Sequence, residues 1–219
     1  MLQHVWERVC EARYLHSTLI ATDDARIYEI GRSFGARVRM TRADHVSGTD
    51  RVAEAASSEN AEIVVNIQAD EPLIDPEAID AAIMPLAQDS SILMGTLKKR
   101  IEDPREITDP NVVKVVTDRA GDAIYFSRCP IPHGSGATPF KHIGLYVYQS
   151  DFLMAYPTLP IGPLEQSERL EQLRALENGY KIRVAETDYE SVAVDTAEDL
   201  ERVRELFETV SQREAQWRA

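Results

Sequence analysis

Ile63-Val64-Val65-Asn66-Ile67-Gln68, followed at once by Ala69-Asp70-Glu71-Pro72, decides the fold. A short, nearly continuous apolar run stopped by a proline reads as a strand buried on both faces of a sheet, the pattern of an α/β fold. Ligands of such sheets gather outside the carboxyl ends of the strands. A small residue followed by a carboxylate at that end can hold Mg²⁺ against phosphates, because hard cations take oxygen ligands. Asp70 is therefore a candidate metal ligand. The plain alternative is a strand-to-loop turn that Pro72 brings to a stop. Glu71 beside it reads as structural.

Working outward, helices and strands alternate. Residues 1–13 carry Leu2, Val5, Trp6 and Val9 at helical spacing. A strand is expected at 17–22, then a helix capped by Asp23 or Asp24 that runs to about Phe34 and closes at Gly35. A strand at 37–40 and a short helix at 50–57 precede the central run. Pro76 after Asp75 starts a helix reaching 87. Strand-like stretches follow at 92–97, 112–117, 123–126 and 142–148. A single helix is expected over 164–177, ended by Asn178-Gly179. A strand at 181–186 and a helix at 196–207, with Thr196 and Asp199 as its capping box, complete the series. The prediction is one domain over 1–219. Its Rossmann-like sheet is mostly parallel or mixed, with helices on both faces. A strand-rich insertion at roughly 92–150 and a frayed tail from about 208 are expected within it. The chain opens on a helix, where such sheets commonly open on a central strand. Either the fold starts there or a strand and its loop are missing upstream.

The 219 residues are 43% hydrophobic and 28% charged, ordinary globular usage that excludes a disordered or fibrous chain. With 24 Lys and Arg against 37 Asp and Glu, the net charge is −13, and no basic run is present. That argues against nucleic acid and against an anionic membrane surface. It leaves room for polyanions bridged by a divalent cation. Cys10 and Cys129 form neither a zinc motif nor a disulfide framework, and two idle thiols fit a reducing cytoplasm. No apolar run is long enough to span a bilayer, and the first residues lack a signal peptide's apolar core.

Other constellations stand around Asp70. Asp195 follows the apolar stretch 192–194. Thr196 already serves as the cap, which leaves Asp195 to point elsewhere. Ser47-Gly48-Thr49 forms a polar turn whose backbone a ligand can approach closely, or a plain turn before a helix. Arg128, after Phe126-Ser127, ends a strand. Its fork can clamp a carboxylate or phosphate, although a surface ion pair is the commoner fate of an arginine. His142 opens the stretch His-Ile-Gly-Leu-Tyr-Val-Tyr, and without a second histidine at ligand spacing a zinc site is poorly supported. On the helix expected at 164–177, Leu170, Leu173 and Leu176 make the core stripe. Glu168 and Glu171 project oppositely, with Gln172 on the flank.

Taken in order, these segments resemble the 3-deoxy-manno-octulosonate cytidylyltransferases, the CMP-Kdo synthetases. The resemblance runs through Thr41-Arg42-Ala43-Asp44-His45, Ser47-Gly48-Thr49 and Val65-Asn66-Ile67-Gln68-Ala69-Asp70-Glu71-Pro72, where the family often has Gly at position 69. It continues through Pro110-Asn111-Val112-Val113-Lys114-Val115-Val116, Tyr125-Phe126-Ser127-Arg128 and His142-Ile143-Gly144-Leu145-Tyr146. It ends with Pro163-Leu164-Glu165, Leu170-Glu171-Gln172-Leu173-Arg174 and Val194-Asp195-Thr196.

The resemblance implies a nucleotide-diphospho-sugar transferase fold and a reaction of CTP with the eight-carbon acid sugar Kdo. The products are CMP-Kdo, for lipopolysaccharide synthesis, and pyrophosphate, with Mg²⁺ as cofactor. It implies Asp70 and Asp195 as metal-binding and catalytic residues. Ser47, Gly48, Thr49 and Gln68 fall on the cytidine side, and Arg128, His142, Glu171 and Gln172 on the acid-sugar side. A homodimer through the strand-rich middle is implied as well. The family's opening strand and its Arg-, Lys- and Gly-rich triphosphate loop have no counterpart before the first helix, so an N-terminally incomplete fold is expected. Two alternatives stay open: a cytidylyltransferase for another sugar acid, of acylneuraminate type, and an inactive remnant that only binds a nucleotide or a partner.

Overall fold

The computed structural model describes residues 1–134, 136–194 and 196–217. In chain order its elements are α1 (Leu2–Cys10), β1 (Leu19–Thr22), α2 (Ala25–Ser33), β2 (Arg37–Met40), α3 (Gly48–Ala56), β3 (Ile63–Asn66) and α4 (Pro76–Gln88). Next come β4 (Met94–Arg100), α5 (Pro104–Thr108), β5 (Lys114–Thr117), β6 (Ala123–Ser127) and β7 (Phe140–Gln149). They are followed by α6 (Ser150–Ala155) with a 3₁₀ turn (Tyr156–Thr158), α7 (Pro163–Glu168), α8 (Leu173–Glu177), β8 (Arg183–Glu186) and α9 (Ala197–Trp217).

The main sheet is mixed and built on β7. One side of β7 pairs antiparallel with β4, and β8 lies parallel on the far edge of β4. The other side carries two strands end to end. β3 lies antiparallel along Tyr146–Gln149, and β5 touches Lys141 and continues to β6. The chain leaving β3 peels away in the gap between them, where Glu71 Oε1 lies 4.0 Å from the place a Cβ on Gly144 would occupy. The strand-rich middle is therefore no insertion. β4 and β7 are the sheet's centre because their alternating side chains feed both cores. On one face α1 and α4 bring Val5, Val9, Ile79, Ile83 and Leu86 onto Leu97, Ile143, Leu145 and Val147. On the other, Ala53, Phe152 and Leu173 cover Met94, Phe126 and Tyr148. Each of these fully buried large side chains contributes roughly 1.5–3 kcal/mol.

β1 and β2 pair parallel with each other as a separate two-stranded ribbon. Between β1 and β3 runs a groove of about 930 Å³, lined by Val5, Trp6, Ile20, Val52, Val64 and Leu86 among others. Here the expectation for β3 meets a correction. Ile63, Val64 and Val65 are only half-buried, because β3 has a strand partner on one edge alone.

Local signals set most helix ends. Asp24 and Asp75 cap α2 and α4 by accepting from Arg26 N at 2.7 Å and Glu77 N at 3.0 Å. Thr196 and Asp199 form the expected reciprocal box at the start of α9, with Asp199 N on Thr196 Oγ1 at 3.1 Å and Thr196 N on Asp199 Oδ2 at 2.9 Å. That helix runs to Trp217, not to 207 with a frayed end. α3 starts earlier than read, at Gly48, because Ser47 caps it through Asp50 N at 3.2 Å. The largest departure is at 164–177. The single helix is two, broken at Arg169, whose φ of 54° is left-handed. The short α5 and α6 were not read from the sequence at all.

Candidate active site

The break between α7 and α8 sends two glutamates in different directions. Glu168 turns toward β6, where it accepts from Ser127 Oγ at 2.7 Å and from Arg128 N at 2.9 Å. Glu171 turns toward the start of α3, where Ser47 Oγ donates to its Oε1 at 2.9 Å. The Ser47 hydroxyl thus caps its helix and holds a carboxylate 124 residues away in sequence. Thr49, also at the start of α3, is buried. Burial pushes the Glu171 carboxyl up, and the Ser47 hydroxyl pulls it back. Tyr156 OH fixes the Glu171 carbonyl at 2.8 Å. Residues expected on the cytidine side and on the acid-sugar side are therefore directly joined.

Gln68 lies beside them. Its Nε2 donates to Asn66 Oδ1 at 3.2 Å and sits 3.9 Å from where a Cβ on Gly48 would be. Gln172 is 3% exposed, and its Nε2 has no hydrogen-bond partner among the described residues; Asp50 Oδ1 is likewise buried without one. A buried amide donor left unmet is costly, and a bound polar ligand is one way to meet it.

His142 is half-buried on β7. Phe126 and Tyr146 flank its ring, with centroids at 5.1 and 5.4 Å, and its Nε2 lies 2.9 Å from Thr96 Oγ1. The Thr96 hydroxyl has a single proton, which goes to the Leu145 carbonyl at 2.7 Å. Its lone pair then takes the proton of His142 Nε2, which leaves Nδ1 an acceptor. Burial lowers the His142 pKa to about 3, so the ring is neutral at ordinary pH.

Arg128 is already engaged. Its Nε donates to Glu168 O at 2.8 Å, Nη1 to Pro110 O at 2.9 Å and Nη2 to Arg169 O at 3.4 Å. Three of the five guanidinium donors are used, so two remain for a ligand. Asp70 sits where β3 peels away, and its carbonyl accepts from Val194 N at 2.9 Å. That bond brings the residue preceding Asp195 onto Asp70; Asp195 itself lies outside the described residues. Glu71 is structural, as read. Tyr189 OH donates to its Oε2 at 3.1 Å, and burial raises its pKa.

Thr96 and Lys114 were not singled out from the sequence. A hydroxyl within Met94-Gly95-Thr96-Leu97 and a lysine within Val112-Val113-Lys114-Val115 were the available signals.

The cytidylyltransferase family model matches residues 1–182. A 3-deoxy-manno-octulosonate cytidylyltransferase of Solibacter usitatus is 75% identical over 211 residues, covering 94% of this chain and 84% of the relative. That of Geobacter metallireducens is 52% identical over 219 residues, covering 94% and 86%. The chain belongs to the 3-deoxy-manno-octulosonate cytidylyltransferase family. A solved CMP:2-keto-3-deoxy-manno-octonic acid synthetase, complexed with CTP, superposes at a TM-score of 0.91 with 39% identity, over 95% of this chain and 87% of the other. A cytidylyltransferase from Leptospira borgpetersenii, 15% identical, shares the fold at a TM-score of 0.59. No helix among the described residues is long and apolar enough to cross a membrane.

Proposed function

We propose that the protein transfers the cytidylyl group of CTP to Kdo. The anomeric hydroxyl of the sugar attacks the α-phosphorus, the bond to the bridging oxygen breaks, and pyrophosphate leaves. The observation that carries this reading is the Ser47–Glu171 hydrogen bond, which joins the two substrate sides in one crevice. Ser47, Gly48, Thr49 and Gln68 would hold the cytidine. His142 Nδ1, the Gln172 amide, Glu171 and the spare donors of Arg128 offer a polyol acid one acceptor, one donor, one carboxylate and one cationic fork. Such a reaction needs alignment and charge neutralisation more than covalent help.

Mg²⁺ is proposed as cofactor. The chemistry of two carboxylates suits a hard cation, and Val194, the residue before Asp195, is hydrogen-bonded to the Asp70 carbonyl. Once bound it would offset the negative charge of the triphosphate. We further propose a homodimer, a cytoplasmic location and a role in lipopolysaccharide synthesis, following the relatives' names and the two idle thiols.

The groove between β1 and β3 supports one more proposal. Two strand edges face each other across a gap lined with apolar side chains, which suits an extended apolar segment paired on both sides. A strand supplied ahead of α1, as the resemblance expects, would join the ribbon and the main sheet.

The test is product formation from CTP and Mg²⁺ with Kdo or N-acetylneuraminate as acceptor. CMP-Kdo and equimolar pyrophosphate are expected, with Kdo strongly preferred. Equal use of neuraminate would move the protein to the acylneuraminate class.

A further inference from the structure

Lys114 opens β5 and is fully buried, 0% exposed. None of its three hydrogen bonds goes to a carboxylate. Its Nζ donates to the carbonyl oxygens of Asp109 at 2.8 Å, Val112 at 2.6 Å and Arg128 at 2.6 Å. An ammonium has three donors, and all three are used. A charge at a buried strand position is costly to desolvate, and a valine would pack there without that cost. The residue therefore calls for an explanation beyond filling space.

The three carbonyls belong to two separate segments, the loop before β5 and the exit of β6. Those segments reach the acid-sugar side by short routes. His142 N donates to Val113 O at 2.8 Å, in the same loop. The Arg128 guanidinium ties Pro110 of that loop to Glu168 and Arg169, the end of α7. Arg169 is the left-handed residue, and beyond Leu170 come Glu171 and Gln172. A non-glycine residue in that conformation costs on the order of 1 kcal/mol and needs its surroundings to hold it. Two cations, one buried and one half-buried, thus bracket the loop at 109–113, the β6 exit and the α7–α8 break.

We propose that Lys114 is a positioning residue for the acid-sugar side: by gathering three carbonyl oxygens around one ammonium it fixes the directions in which Arg128, Glu171 and Gln172 face the ligand. An uncharged side chain of the same reach would leave three acceptors unmet and mutually repelling. The β6 exit would then shift, and with it the fork that holds the break. The choice of ligand rests on the proposed function. The bracket itself rests on the contacts above.

The test compares the wild-type chain with Lys114→Met, which keeps the stem and removes the charge, and with Lys114→Gln, which keeps a donor should the first variant fold poorly. Amide exchange at residues 170–174 should quicken about tenfold or more, the loss of roughly one well-made hydrogen bond, while α2 is unchanged. The KM for Kdo should rise about tenfold with the KM for CTP within roughly twofold, since the cytidine contacts lie on α3 and β3. A purely structural lysine lowers the melting temperature and the active fraction, hence kcat, and leaves the KM for Kdo alone. That result, unchanged exchange at 170–174, or an equal rise in both KM values overturns the proposal. If the wild type turns over CTP but not Kdo, the functional reading fails instead, and the exchange measurement alone decides the bracket.

Discussion

The surroundings of Glu171 and the groove between β1 and β3 adjoin at Gly48 and Gln68, and their polar groups are met differently. In the crevice, side chains far apart in sequence satisfy one another. Ser47 meets Glu171, Thr96 meets His142, and Arg128 meets the backbone of 168–169. Around the groove, β1 and β3 do not pair with each other among the described residues, and Trp6, Ile20, Val52 and Val64 line it beside polar Arg51 and Glu59. A crevice held by side-chain hydrogen bonds is organised before its ligand arrives, which is what electrostatic catalysis requires. A groove bounded by strand edges is organised for backbone pairing and takes almost any extended apolar sequence. The difference teaches that contacts between distant side chains organise the region around Glu171, while the groove is bounded by two strands that do not pair with each other.

Substitutions should separate the two regions. The largest effect is expected at the crevice's mouth. Asp70→Asn should lower turnover with CTP and Kdo on the order of 10²-fold. The Val194 hydrogen bond, made by the Asp70 backbone, is kept in the variant. A parallel loss of stability would place Asp70 in the frame instead. Next is the groove. Fusing an apolar strand-forming segment ahead of α1 should bury about three apolar side chains and raise the melting temperature by roughly 10 °C or more. It should not alter the preference for Kdo over neuraminate. An unchanged melting temperature would show that the groove is no strand site.

A smaller effect concerns acid. The His142 pKa falls to about 3 from an ordinary 6.5, so between those values the unfolded chain binds a proton that the folded one refuses. Stability should therefore rise with pH across that window, by at most about 1.4 kcal/mol per unit, and level off above 6.5. His142→Gln should flatten that part of the profile in urea titrations at several pH values. An unaltered profile would show that the imidazole is hydrated.

Local signals were legible in the sequence, and contacts between distant segments were not. The caps at Asp24, Asp75 and Thr196 depend on neighbours two or three residues away, and each forms as read. The strand at 37–40 also forms with the expected bounds. The break at Arg169 depends on Arg128, 41 residues earlier, and nothing in the leucine spacing of 164–177 announces it. The half-burial of β3 depends on which strand lies beside it, which apolar periodicity does not encode. Among site residues, the resemblance puts Ser47, Thr49 and Gln68 on one side and Glu171 and Gln172 on the other, and the Ser47–Glu171 hydrogen bond across 124 residues has no signature in the sequence. The carbonyl bracket around Lys114 has no sequence signature beyond a charge in an apolar strand.

The account stands most directly on the junction of the two substrate sides, and a double-mutant cycle on Ser47→Ala and Glu171→Gln tests it, reading kcat/KM for CTP and for Kdo. If the hydrogen bond makes one unit of the crevice, the double mutant should lose less than the sum of the single losses, by roughly 1 kcal/mol, for both substrates. Strictly additive losses, with Ser47→Ala felt only by CTP and Glu171→Gln only by Kdo, would contradict it.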